Sequence, residues 1–322
     1  MNNTAILLLS FGTPSSVEDL GPYVTSIRRG HAPSDAELAM LAERYTSIGQ
    51  WNNQALQDMA LRQGRVLQEQ LQDKWEQDIP VYVSYLHVPS ETSSFSMKET
   101  VARMVKDGYS RIVAIVTTPF YSSAGTGDYE RKLQVITDEY PSLQVEFIQS
   151  WWLQPSFAYY WMKAIDAYIT NTEDSQWQPS DSHEDIPYST KDTHFIFSAH
   201  SVPEETAGDY KDNIERAATF IAQRSGMANY RVAFQSAPPR PGWLGPSIET
   251  AIEEVLKEGA KRIVFIPFGF VSDHVEILHD NDVACRHLVE AGNAIYGRVM
   301  MPNDNSLFIE AMASAIMERI KK

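Results

Sequence analysis

The sequence predicts an α/β fold built of two related halves, each on a mostly parallel sheet. Three observations predict it. Short β-branched runs alternate with helical stretches along the chain, the pattern of strand–helix–strand units. Lys106-Asp-Gly-Tyr-Ser-Arg-Ile-Val-Ala-Ile115 matches Lys257-Glu-Gly-Ala-Lys-Arg-Ile-Val-Phe-Ile266 in register, and Glu99-Thr100 is echoed by Glu249-Thr250. The loop Ser10-Phe-Gly-Thr-Pro14 is likewise echoed by Ala199-His-Ser-Val-Pro203. A duplicated half makes a two-lobed protein, and clefts at domain interfaces hold ligands.

The chain has 322 residues, enough for two core-forming domains at roughly 150 residues each. We divide it at 1–165 and 166–322, with the terminal helix 306–320 free to pack back on the first half. The polar run Asn171–Asp192 reads as the linker. A net charge of −15 leaves no basic patch to neutralise phosphates, so nucleic acid is excluded as a main partner. It also opposes docking on an anionic membrane. Cys285 is the single cysteine, which rules out a disulfide and a cysteine-held iron–sulfur cluster or zinc site. The apolar run Ala5–Leu9 is too short for a signal segment and has no basic residues before it. No stretch approaches the roughly 18 apolar residues of a membrane span. A cytoplasmic monomer without a stable membrane anchor is expected.

The elements follow in order. Ala5–Leu9 reads as a buried strand, turned by Gly12 and Pro14, with Ser15 and Ser16 able to cap a helix near Val17. One glycine and no lysine make this a poor phosphate loop. Ile27-Arg28-Arg29-Gly30 sets two cations before a break; such a pair is either solvated surface or a carboxylate clamp. Helices are expected over Asp35–Ile48 and Leu56–Leu71, joined by Gly49–Asn53. Strands at Val81–Tyr85, Ile112–Val116 and Leu143–Phe147 alternate with helices at Met97–Lys106 and Asp128–Glu139. Ser150-Trp-Trp-Leu-Gln-Pro155 opens an aromatic helix over Phe157–Ile169. The second half repeats the alternation: strands at His194–Ser198, Tyr230–Gln235 and Ile263–Phe270, helices at Asn213–Arg224 and Ile248–Leu256, and a terminal helix at Ser306–Ile320.

The chemistry concentrates in the second half. The apolar run Ile263–Phe270 is followed by Ser272-Asp273, which we expect to cap a helix. At helical spacing Asp273, Glu276 and Asp280 then share one face, with His279 near it. An acidic face after a strand end, where open α/β sheets bind ligands, suits a divalent cation or a proton relay. The plainer alternative is a solvated helix start that complements the dipole. His200 lies at another strand end of the same half. A lone histidine there is often structural, but Glu276 across the sheet edge could tune it as a base or metal ligand.

Ser198-Ala-His-Ser-Val-Pro203 and Gly269-Phe-Val-Ser-Asp-His-Val-Glu-Ile-Leu-His-Asp280 closely resemble the two signature segments of the ferrochelatases. Ile27-Arg-Arg-Gly30, Ser150-Trp-Trp-Leu-Gln-Pro155, Phe234-Gln-Ser236 and Trp243-Leu-Gly-Pro246 resemble the family too. The resemblance runs from Ala5 to about Pro302 and is strongest with the short enzymes of Gram-positive bacteria, which act on coproporphyrin III. It implies two Rossmann-like halves with a porphyrin cleft between them, and Fe²⁺ insertion that releases two protons. Fe²⁺ and the porphyrin are then substrates, and no cofactor is implied. By this resemblance His200 and Glu276 form the catalytic and metal-binding pair, while Asp273, His274 and Asp280 belong to a path for metal or protons. Phe11, Arg28, Arg29, Arg44, Tyr45, Asn52 and Tyr129 correspond to positions that contact the porphyrin and its propionates.

The sequence also departs from the family pattern. Phe11 stands where many relatives carry an iron-ligating Tyr, and Asn52 stands where a Ser commonly contacts substrate. Phe120 replaces a His or Gln, and Ala284 replaces an acidic residue one turn past Asp280. Two alternatives follow: a porphyrin or haem carrier without turnover, and a chelatase for another divalent metal such as cobalt.

Overall fold

A computed structural model describes residues 3–170, 191–238 and 240–321. The expected linker, apart from its last two residues, lies outside them. The described chain forms two compact units. One comprises Met1–Pro119, Gly125–Gln154 and Asn303–Lys322; the other comprises Phe120–Ala124 and Pro155–Pro302. The main division therefore falls at 154/155 rather than 165/166, so the aromatic helix, observed as Pro155–Thr170, belongs to the second unit.

The first unit carries strands β1 (Thr4–Ser10), β2 (Val81–Tyr85), β3 (Arg111–Val116) and β4 (Gln144–Ile148). The second carries β5 (Thr193–His200), β6 (Tyr230–Gln235), β7 (Arg262–Ile266) and β8 (Ile295–Arg298). All pairings are parallel, and the sheet orders are β2-β1-β3-β4 and β6-β5-β7-β8. The two orders are the same order. Parallel strands covered on both faces need continuous apolar runs, and Ala5–Leu9 and Ile263–Ile266 are fully buried.

The duplicated segment explains the match physically. The helices Met97–Lys106 and Ile248–Lys257 are capped by Ser96 and Ser247, whose hydroxyls accept the amides of Glu99 and Thr250, both at 3.2 Å. Both helices stop before a glycine in the left-handed region, Gly108 at φ +94° and Gly259 at φ +89°, which a side chain would disfavour. Each then feeds a buried strand.

The terminal helix Ser306–Ile320 lies in the first unit, against the helix Met59–Trp75 and β3. Phe308, Ile309, Met312 and Ile316 are fully buried. Asp304 receives both Nε and Nη2 of Arg62 at 2.8 Å, and Lys74 pairs with Glu310 at 2.6 Å. Trp151, from the aromatic motif, is 2% exposed and donates its indole N–H to the Val116 carbonyl at 2.9 Å. That motif anchors a core in this unit.

Two expected elements differ. The apolar run Ile263–Phe270 ends as a strand at Ile266, because Pro267 has no N–H for the ladder. Phe268 instead packs against Phe120 and Phe197, with ring centroids 5.4 and 5.2 Å apart. The helix expected over Leu56–Leu71 is broken at Asp58 into Gln54–Gln57 and Met59–Trp75.

Candidate active site

In the second sheet β5 has β6 on one side and β7 on the other. The chain's path reverses there, and ligands of open parallel sheets bind at such a switch point, beyond the carboxyl ends of the strands. His200 is the last residue of β5, with Gln235, the last of β6, as its register partner. Glu276 comes from the segment after β7. His200 Nε2 lies 3.8 Å from Glu276 Oε2, with both side chains partly open to solvent.

Local chemistry orients each group. His200 Nδ1 is 2.6 Å from the Ser201 carbonyl. A carbonyl only accepts, so Nδ1 carries a proton and Nε2 is the nitrogen that faces Glu276. The buried Tyr210 donates its hydroxyl to the His200 carbonyl at 3.1 Å. Ser236 Oγ donates to Glu276 Oε2 at 3.1 Å. Ser236 has φ +64°, an unfavourable conformation for a side-chain-bearing residue and one that clusters at functional turns. Gly269 lets the post-β7 loop close on β5: a Cβ there would lie 2.4 Å from Ala199 Cβ.

The helix after that loop begins later than expected. Its cap is His274, whose Nδ1 accepts the Glu276 amide at 3.1 Å, and its first α-helical stretch is Val275–Leu278. Asp273 therefore stands before the helix and not on an acidic face with Glu276. It pairs with Arg298 at 3.4 Å. Arg298 in turn grips Asp282 through Nε and Nη2 at 2.7 and 2.8 Å, and Tyr296 donates to the same carboxylate at 2.8 Å. Burial pushes the pKa of His274 below the ordinary histidine value, with the carboxylates of Glu276, Asp273 and Asp280 opposing it. Asp280 accepts His279 Nδ1–H at 2.9 Å. Past Leu278 the ladder widens to a π-helix over Asp280–Cys285, with the Ala284 amide on the His279 carbonyl at 3.0 Å. Such wide turns concentrate at functional sites.

The positions that the resemblance assigns to the porphyrin lie in the first unit. Phe11 follows β1 and is 46% exposed, an open aromatic face at the end of its strand. Arg28 follows the helix Val17–Ile27 and pairs with Glu37 at 2.9 Å, while Arg29 reaches Asp128 at 3.5 Å. Arg44 and Tyr45 lie on the helix Asp35–Ser47, and Tyr45 meets the Trp51 ring at 5.5 Å. Asn52 is exposed at the end of the short 3₁₀ helix Gln50–Asn52 that follows. Tyr129 differs: it is buried in the core cluster with Leu133 and Ile136, and burial raises the pKa of its hydroxyl. Within the second unit the structure brings His200 and Glu276 together; Asp273 and Asp280 hold other partners.

Sequence reading missed His87. Its ring meets Phe11 edge-on at 4.7 Å, and its Nδ1 lies 3.1 Å from Ser26 Oγ. It borders an open pocket of about 600 Å³ with Ser26, Arg29, Asp128 and Lys132. The repeat held the signal, since His87 follows β2 as Ser236 follows β6. Burial, helped by Lys132 and opposed by Asp128 and Glu91, lowers its pKa to about 4. The unfolded chain takes that proton near the ordinary value of about 6.5. Stability is therefore whole above about 6.5 and falls as pH drops toward 4, where the unfolded state binds more protons. Urea midpoints measured from pH 7 to 4.5 should decline, and His87→Gln should flatten part of that decline. An unchanged slope would show that His87 is protonated equally in both states.

Two parallel sheets of one order, with a histidine–carboxylate pair at a switch point, make this a chelatase-type α/β protein. It belongs to the ferrochelatase family, whose model matches residues 3–320. Among solved structures, SirB from Bacillus subtilis with Fe³⁺ shares the fold at TM-score 0.61 and 13% identity, covering 99% of this chain and 95% of that one. The coproporphyrin III ferrochelatase of Bacillus pumilus (strain SAFR-032) is 32% identical, covering 98% of this chain and 96% of its own length. That of Bacillus subtilis (strain 168) is 29% identical over 98% and 97%. Membership carries the family's activity, a lyase reaction that inserts ferrous iron into a porphyrin in haem biosynthesis. A carrier without turnover is not favoured. Among the described residues, no helix is long and apolar enough to cross a membrane.

Proposed function

We propose that the porphyrin is coproporphyrin III and that His200 and Glu276 handle the metal and the departing protons. The observation that carries the assignment is the 3.8 Å approach of His200 Nε2 to Glu276 Oε2 at the switch point of the second sheet. Insertion replaces two pyrrole N–H bonds by bonds to Fe²⁺, so two protons must leave as the ion arrives. A neutral imidazole nitrogen beside a carboxylate supplies acceptors for them, and the same atoms suit a first-row divalent ion. Two donors hold an ion loosely, which favours its transfer to the macrocycle.

Coproporphyrin III is supported by the names of the relatives in the curated comparisons. Arg28, Arg29 and Arg44 are the proposed partners of its propionates, since guanidinium groups match carboxylates in a bidentate way. In this reading Arg28 exchanges Glu37 for a propionate. The negative net charge of −15 would repel an anionic porphyrin elsewhere, which favours a local cation cluster. The protein acts as a cytoplasmic monomer, without nucleic acid and without a resident cofactor. The buried Cys285, its thiol pKa raised by burial, is a poor cluster ligand.

The test is anaerobic Fe²⁺ insertion into coproporphyrin III and protoporphyrin IX side by side, with His200→Ala as control. Loss of free-porphyrin fluorescence, faster with coproporphyrin III and abolished by the substitution, is the expected result. Faster reaction with protoporphyrin IX would overturn the substrate assignment. Tight binding of both with no insertion would overturn the enzymatic reading.

A further inference from the structure

Behind the Glu276 carboxylate stands a buried polar network for which the reaction itself has no direct use. Ser198 and Asn281 are 0% exposed and Gln235 is 3% exposed. Gln235 Nε2 and Asn281 Nδ2 both donate to the carbonyl oxygen of Glu276, each at 3.2 Å. Gln235 Oε1 accepts from Asn281 Nδ2 and from Ser198 Oγ, each at 3.1 Å. Because the Glu276 carbonyl only accepts, the orientation of both amides is fixed.

The placement of these residues gives the network its meaning. Gln235 is the register partner of His200, and Ser198 precedes His200 by two residues on the same strand. Asn281 is the second residue of the π-helical segment. One set of hydrogen bonds thus ties the strand ends that carry His200 to the peptide that carries Glu276. Ser236, next to Gln235, holds the far end of the same residue through Oε2. Asn281 Oδ1 is buried with no hydrogen-bond partner among the described residues. An apolar side chain of similar size would avoid that cost, and locally unfavourable choices of this kind concentrate where function requires them.

We propose that Gln235 and Asn281 are positioning residues that clamp the Glu276 peptide and so fix the carboxylate against His200. The proposal rests on the reading that Glu276 accepts the pyrrole protons. Without the clamp the peptide can rotate and the carboxylate drifts from Nε2. Displacements near 1 Å at a reacting group are costly to rate.

The test uses the full chain carrying Asn281→Leu or Gln235→Met, each of similar volume and without the donor, beside wild type and Glu276→Gln. Thermal melting identifies the variants that fold, and either one suffices to decide. The expected result is a fall in kcat for Fe²⁺ insertion of about 10- to 100-fold, as for other outer-shell partners of metal sites. The porphyrin KM should stay within about twofold, the mark of an interaction that acts on the chemical step. Wild-type kcat in a folded variant, or a raised KM at unchanged kcat, would overturn the positioning role while Glu276→Gln remains impaired. An inert wild type, or a fully active Glu276→Gln, would instead overturn the reading on which the proposal rests.

Discussion

Glu276→Gln is expected to slow iron insertion by about 10²- to 10⁴-fold, the usual contribution of a positioned general base. The substitution keeps the shape of the side chain. Its amide oxygen can still accept the Ser236 hydroxyl, which lies 3.1 Å from Oε2, and the bonds to the main-chain carbonyl are untouched. What disappears is the capacity to accept a proton beside His200. Porphyrin affinity should therefore change little, and the loss should fall on kcat. Initial anaerobic rates at saturating porphyrin, set beside a fluorescence titration of binding, separate the two quantities. A rate within threefold of wild type would remove Glu276 from the proton path and leave His200 as the only acceptor in the pair.

Asp282→Ala is expected to cost about 3–5 kcal/mol of stability, the range for stranding one member of a buried ion pair. Arg298 has a side chain only 6% exposed and makes a two-pronged contact with Asp282. Asp273 remains beside the guanidinium as an ion pair at 3.4 Å, without the two-pronged hydrogen bonds that Asp282 makes. The melting temperature should fall by roughly 6–20 °C, at 2–4 °C per kcal/mol for a unit of this size. Removing both charges in Asp282→Ala/Arg298→Met should recover much of the loss, because the penalty comes from a buried guanidinium that has lost its two-pronged partner. Calorimetry on the two variants provides the check. A loss below about 1 kcal/mol for Asp282→Ala would mean that Arg298 finds enough other acceptors.

The sheets were legible because the signals that build them are local. Serine caps at Ser96 and Ser247, left-handed glycines at Gly108 and Gly259, and β-branched runs after them specify helix, turn and strand twice over. The match between Lys106–Ile115 and Lys257–Ile266 is that same program repeated. The pairing of His200 with Glu276 was also within reach, since both follow strands of one half.

Other features depend on tertiary structure. Pro267 interrupts an apolar run that reads as one strand, and Phe268 then joins an aromatic cluster no local pattern announces. Ser272-Asp273 has the chemistry of a cap, but Arg298 draws Asp273 away and His274 takes the position. The change to a π-helix at Asp280 has no residue signature, so the shared acidic face was drawn with the wrong period. Asn281 has no motif of its own, and Gln235 stands out only within Phe234-Gln-Ser236, because an amide becomes informative only when its partners are known. Tyr129 corresponds to a porphyrin position by family likeness alone, and its helix sets it in the core cluster.

The identical strand order of the two sheets lets position be compared with position. Phe11 follows β1 where His200 ends β5, and Leu86 follows β2 where Gln235 ends β6. Their backbones follow the same course: the Leu86 and His87 amides bond the Ser10 and Phe11 carbonyls at 2.8 and 3.0 Å, while Gln235 pairs in register with His200. Only one copy carries an imidazole and an amide at these places; the other carries a phenyl ring and an isobutyl group. The twin scaffold therefore separates two kinds of inherited change. Phe11 lies in the first unit, so a substitution there leaves in place the Ser201 and Tyr210 hydrogen bonds that hold His200, whereas one at Gln235 removes its donor to the Glu276 carbonyl.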